Sequence, residues 1–352
     1  MCALPGSVQK RWLSPVGRKG SLLLALLCIL LLVGCGNIPS NNTSSPTPTI
    51  TQFAVPPSGS VPTGITSAPD GALWFTEQDA SKIGRITTQG NITQFALTHD
   101  SLPLGITHGP DGALWFAASG SDKIGRITTQ GKLTWFAVPG GPLQITAGPD
   151  GALWFIERNG EIGRITTQGK LTQFPTPGSR YSERDLAAIT AGPDGALWFT
   201  ENRTDGKIGR ITTQGKFTMF ALSVDALGIT AGPDGALWFS GSIGNDGSKS
   251  VIGRITSQGK ITWFTLPSSL DGPVGITTGS DGALWFAAYG GEIGRITLQG
   301  KISQFIVPPS DSEPRAISEI TSGSDGALWF TENAGKIGRL LIPPSARRSK
   351  PA

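Results

Sequence analysis

Cysteine is nearly missing from this chain of 352 residues: Cys2, Cys28 and Cys35 are the only three. Nothing beyond residue 35 can therefore form a disulfide or a thiolate metal site. Histidine is rarer still, with His99 and His108 alone. No Ser-His-Asp set, phosphate-binding glycine loop or metal-spaced Cys/His cluster is present. Charge is low at 15% of residues, and helix formers in amphipathic spacing are scarce after residue 50. The apparent net charge of +4 is also empty of meaning for partners. Lys10, Arg11, Arg18 and Lys19 supply it, and without them 25 basic residues face 25 acidic ones. A nucleic-acid partner would need a basic footprint that is not there.

Glycine and proline are abundant, at 49 and 26 residues, without a collagen period. With 38% hydrophobic residues this is the composition of a turn-rich β protein. The stretch DGALWF occurs seven times, beginning at residues 70, 111, 150, 194, 234, 281 and 325. A period near 40 residues holding several short strands predicts a β-propeller. In the first unit the strands are expected at Gly64 to Ser67, Ala72 to Glu77, Ile83 to Thr88 and Ile92 to Leu97, joined by Pro-Asp-Gly and Gln-Gly turns. Asp-Gly suits a tight hairpin, because Gly tolerates positive φ and Asp bonds its own turn backbone. Ala-Leu-Trp-Phe is apolar on both faces, as a strand between two other sheets must be. The seven repeated tryptophans read as packing between blades, and the seven arginines of IGR as bridges between blades through carboxylates.

The last unit ends without a fourth strand, while Ile50 to Pro56 (ITQFAVP) matches that strand and stands alone before the first unit. The fold class expected is thus all-β: a seven-bladed β-propeller of four-stranded blades, its ring closed by the N-terminal strand. Closure of this kind hides the edges that an open sheet would expose.

Outside the ring, residues 1–34 read as a lipoprotein signal peptide. Basic residues precede an apolar run from Leu22 to Val33, and Leu32-Val33-Gly34-Cys35 resembles the lipobox of bacterial lipoproteins. Cys35 is the expected lipidation site, 35–49 a Ser/Thr/Pro-rich tether, 50–342 the propeller and 343–352 a basic tail. These assignments imply an extracytoplasmic monomer, lipid-anchored to the cell membrane.

Repeats of the form GIT-x-GPDGALWFTE…KIGRITTQG resemble the streptogramin B lyase (virginiamycin B lyase) family of seven-bladed propellers, over residues 50 to 342. The resemblance implies linearisation of cyclic depsipeptide antibiotics by elimination at an ester bond, with a histidine base and a magnesium ion near acidic residues. It places those histidines two residues before the Ile of the GIT strand. Here the positions are Thr63, Leu104, Leu143, Ala187, Leu227, Val274 and Ser318, and none is His. Glu313-Pro314-Arg315 resembles the family's acidic-Pro-His motif with Arg in place of His.

Function is expected on the face where connections vary most between repeats, including 177–187, 240–250 and 308–318. The residue three after Trp also ends near that face. It is Glu in four units, making Glu77, Glu157, Glu201 and Glu332 candidate ligand-binding residues. A partial ring of carboxylates has the chemistry for a magnesium or calcium ion at the channel mouth; no other cofactor is implied. Should a base have moved, the catalytic candidates are Glu332, His99, Glu313 and Arg315. The function expected is a membrane-tethered module for a small-molecule, glycan or protein ligand. The alternatives are a carbon-oxygen lyase opening streptogramin B-type rings and a metal-dependent lactonase-like hydrolase.

Overall fold

A computed structural model describes residues 48–57, 60–98, 100–178, 186–202, 206–222, 224–243, 249–309 and 316–342. They form seven four-stranded antiparallel sheets in a ring, with the inner strand of each sheet packed against the inner strands of its two neighbours. The first sheet shows the plan: Pro62–Ser67 lies innermost, then Leu73–Glu77, Lys82–Ile86 and Ile92–Ala96 on the rim. Each strand agrees with the expected one to within two residues. The seventh blade takes its rim strand from the other end of the chain. Thr49–Ala54 pairs with Lys336–Leu341, with Thr51 opposite Arg339 and Phe53 opposite Ile337. The closing strand thus begins one residue inside the segment read as tether.

The repeated hexapeptide carries both faces of every blade. Trp74 packs against Leu114 and Phe116 of the next blade, and each later Trp meets the next blade's Leu and Phe in the same way. All seven tryptophans are at most 1% exposed. The motif's Phe needs a hole beside it. Phe75 lies opposite Gly84, where a Cβ would sit 2.1 Å from the ring. That clash explains the Gly of IGR. The glycine of the Gln-Gly turn makes room elsewhere. At Gly90 (φ +90°) a Cβ would strike Phe53 of the preceding blade's rim strand.

The aspartate does more than turn the chain. Asp194 accepts from the backbone N–H of Ala196 (3.4 Å), from Trp198 Nε1 (3.0 Å) and from Arg210 Nε (2.6 Å). The same Asp–Trp–Arg set recurs in every blade, with Arg Nε–Asp distances of 2.6–2.8 Å. Burial alone would favour protonation of Asp194, but the hydrogen bonds from Trp198 and Arg210 outweigh it and hold the carboxyl below its usual range. The arginines therefore bridge strands within one blade, which corrects the expectation of bridges between blades. Register decides this: Trp and Arg are direct cross-strand partners, such as Trp198 and Arg210, so the guanidinium reaches its own blade's turn first.

Candidate functional site

The inner strands do not run straight. In each of them a register shift falls before the recurring Ile, as between Pro62 and Ile65, so that two residues oppose one on the second strand. Such a bulge frees a backbone N–H and re-aims side chains. In four blades a hydroxyl of the second strand satisfies the bulge. Thr76 accepts from Gly64 N (2.8 Å) and donates to the next blade's Leu104 carbonyl (2.7 Å). Thr200, Ser240 and Thr331 do the same. The other three blades have Ala117, Ile156 and Ala287 there.

The first bulge residue occupies the place where the family resemblance calls for a histidine. Leu143 and Val274 are packed into the hydrophobic clusters between blades. Ser318 donates to Asn333 Oδ1 at 2.6 Å, and the Thr63 and Thr76 hydroxyls lie 2.9 Å apart. None of these groups is a base at neutral pH.

In six of the seven blades the second bulge residue lines the central channel, a cavity of about 370 Å³. Around the ring it reads Gly64, Gly105, Gln144, Ala188, Gly228, Gly275 and Glu319. Five are Gly or Ala; two are polar and stand in the third and seventh blades. Each polar side chain lies across the glycine of the blade before it. A Cβ on Gly275 would meet Glu319 Oε1 at 2.8 Å, and one on Gly105 would meet Gln144 Oε1 at 2.5 Å. Desolvation by the surrounding wall pushes the Glu319 carboxyl up to about 7, opposed only in part by the N–H of Ile320. Glu319 and Gln144 are residues that reading the sequence missed. The signal was present: SEIT and LQIT depart from the GIT pattern at one fixed position.

This placement carries a sign for stability. A folded-state pKa near 7, above the unfolded value near 4.5, means the folded protein binds the proton more tightly. The carboxyl then costs nothing while neutral, and its penalty grows as pH rises from about 4.5 through about 7. Glu319→Gln is expected to leave stability at pH 4 almost unchanged and to raise it at pH 8 by on the order of 1–3 kcal/mol, reduced because the channel opens to solvent. Urea denaturation at both pH values checks this; a gain equal at the two would contradict it.

The four glutamates stand where the strands run out into the variable loops, as expected, but buried rather than open to a ligand. Glu77, Glu157, Glu201 and Glu332 end their second strands, at most 7% exposed. Three are clasped by a rim-strand glutamine. Gln94 Nε2 donates to both carboxylate oxygens of Glu77 at 2.8 Å, Gln173 to those of Glu157 at 3.0 and 2.8 Å, and Gln52 to those of Glu332 at the same distances. Each of these amides also donates to a proline carbonyl of the adjoining loop, at Pro56, Pro139 and Pro308. Where the glutamate is replaced by Ala118 or Gly241, the rim position is Trp135 or Trp263, set edge-on to Phe116 or Phe239. The two positions match in five blades; the fourth combines Glu201 with Met219 and the sixth Ala288 with Gln304. Desolvation, with the nearby Glu161 carboxylate adding, pushes Glu157 up to about 7 against the Gln173 amide.

A magnesium or calcium ion needs several oxygens converging at about 2.0–2.6 Å. The three clasped carboxylates instead turn both oxygens to amide N–H groups. Among the described residues no three His, Cys, Asp or Glu side chains gather for a metal. The three clasped glutamates do not fit the ion. Of the other candidates, His99, Glu313, Arg315 and the lipidation candidate Cys35 lie outside the described residues. His108 lies at the far end of its inner strand from the bulge, its Nε2 buried without a partner among the described residues.

Comparison with known proteins agrees with this architecture. The model of the virginiamycin B lyase family matches residues 42–188 and 140–345. Among solved structures, the virginiamycin B lyase from Staphylococcus aureus is 36% identical with a TM-score of 0.75, covering 84% of this chain and all of that one. A streptogramin B lyase structure is 35% identical, covers 84% of this chain and 97% of the other, and has a TM-score of 0.74. A catalytically inactive His→Ala variant of the Staphylococcus aureus enzyme, solved with quinupristin, is 35% identical over 84% of this chain and all of its own, with a TM-score of 0.75. With a matching family model across the ring and relatives above one-third identity along their whole length, this chain belongs to the virginiamycin B lyase family.

Proposed function

We propose that this propeller binds a ligand at its channel and loop-bearing face without opening a depsipeptide ring. One observation carries the reading: the first bulge position of all seven inner strands lacks a histidine, and none of the residues there is a base at neutral pH. Elimination at an ester requires a base within hydrogen-bond reach of the proton alpha to a carbonyl. Glu332, the base candidate read from the sequence that lies among the described residues, has both oxygens engaged by Gln52. The signal segment and Cys35 support an exported module tethered to the cell membrane, carried by the basic, apolar and LVGC sequence.

The test is incubation of residues 36–352 with a streptogramin B and magnesium, followed by chromatography and fragmentation mass spectrometry. Elimination converts the cyclic ester into a linear isomer of unchanged mass bearing a new double bond, whereas hydrolysis adds one water. The expected outcome is that neither product forms. Either product, in an amount proportional to the protein added, overturns the reading.

A further inference from the structure

We propose that the channel holds a primary ammonium group, with Glu319 as its counter-ion. The inference rests on the reading of the channel as a binding site and names the chemistry it takes. Glu319 is the sole ionisable residue among those that line the cavity, and no Lys, Arg or His lies among them to neutralise it. Its carboxylate accepts from the backbone N–H of Ile320 and lies over Gly275, where no side chain competes. The strands packed against its own are Pro62–Ser67, Pro273–Thr278, Leu284–Ala288 and Leu328–Glu332. Their one titratable group is Glu332, already clasped by Gln52. A ligand must therefore bring the positive charge.

The rest of the lining decides which cation. Divalent magnesium or calcium takes six or more oxygens and carries two charges, of which one carboxylate balances only half. The channel offers a single carboxylate among neutral acceptors: the Gln144 side-chain carbonyl and the hydroxyls of Thr146, Thr190 and Thr321. One charge with three N–H donors matches that set, because an ammonium needs one counter-ion and can spend its other donors on neutral oxygens. Ile65, Ile106 and Ile229 also border the cavity, and their edges can flank a short alkyl stem behind the ammonium. The feature is built into the chain. Elsewhere in the ring the equivalent position is Gly, Ala or the neutral Gln144, and the glycine beneath Glu319 is the space the carboxylate occupies.

The probe is n-butylammonium chloride at pH 8, compared with potassium chloride at equal ionic strength and with n-butanol. Butylammonium at about ten times its Kd is expected to raise the Tm by roughly 2–4 °C over the potassium control, while butanol does not. In Glu319→Gln the rise should vanish. The carboxyl ¹³C titration of Glu319 in the unaltered protein gives an independent readout, since a bound cation favours the ionised form and lowers the midpoint. An equal rise with potassium or butanol, an undiminished rise in Glu319→Gln, or an unmoved carboxyl midpoint overturns the proposal. Failure here leaves the ring-opening assay standing, and turnover there leaves ammonium binding untouched.

Discussion

A chain that begins at residue 57 will fail to fold stably, while one that begins at residue 48 will match the full-length propeller. The first lacks Thr49–Ala54 and Val55, which close the ring. Val55 is 2% exposed and sits in a cluster drawn from the first and seventh blades, with Phe53 and Ile92 against it. Phe53 stacks on Trp329 at 5.8 Å between ring centroids and fills the space beside Gly90. Gln52, whose amide clasps Glu332, would also go and leave that carboxylate without it in the interior. Two or three buried side chains at roughly 1.5–3 kcal/mol each, with the loss of a whole ladder of pairing, amount to about 5 kcal/mol or more. That is comparable to the entire stability of many domains. Denaturation by guanidinium, followed by tryptophan fluorescence, checks it. Equal midpoints for the two chains would refute closure as a stabilising device.

The second large effect is expected at Trp198. Its indole is fully buried, stacks on Phe220 at 5.4 Å, donates to Asp194 and packs against Leu237 and Phe239 of the next blade. Trp198→Ala removes one whole blade-to-blade contact and leaves a cavity, at a cost of about 3–5 kcal/mol. Trp263→Ala is the control. That ring is 38% exposed and touches Phe239 only edge-on, so its loss should cost on the order of 1 kcal/mol. Thermal unfolding of both variants separates them. Similar losses would mean that the DGALWF tryptophans are not the packing core.

The ring was legible in the sequence because each of its causes is local. Asp-Gly turns, the apolar run Leu73-Trp74-Phe75 and the lone strand ahead of the first unit speak within a few residues of themselves. What lies across a register was harder to read. Asp70 and Arg85 are 15 residues apart, and only the pairing of Trp74 with Arg85 shows that they meet within one blade. The glutamines that clasp Glu77, Glu157 and Glu332 were visible in the repeat, yet they belong to rim strands whose partner is fixed by the pleat. The channel residues failed for another reason. Strict alternation assigns a strand residue to one of two faces. The bulge before Ile320 breaks that alternation, so Glu319 joins the channel wall while Ile320, next in the chain, packs between blades. A departure from the repeat that falls on a bulge was the signal to follow.

Joining the first strand to the last also sets an order of events during synthesis. Residue 51 pairs with residue 339, so the earliest strand made must wait, unpartnered, until almost the whole chain exists. Blades one to six complete themselves as they emerge, each from consecutive strands. The seventh does not, and pairing over so long a separation is intrinsically slow. A truncated product that stops before residue 336 would therefore carry two exposed strand edges, one at each end of its array. Loss of the final residues should mark the chain for aggregation or proteolysis out of proportion to their number.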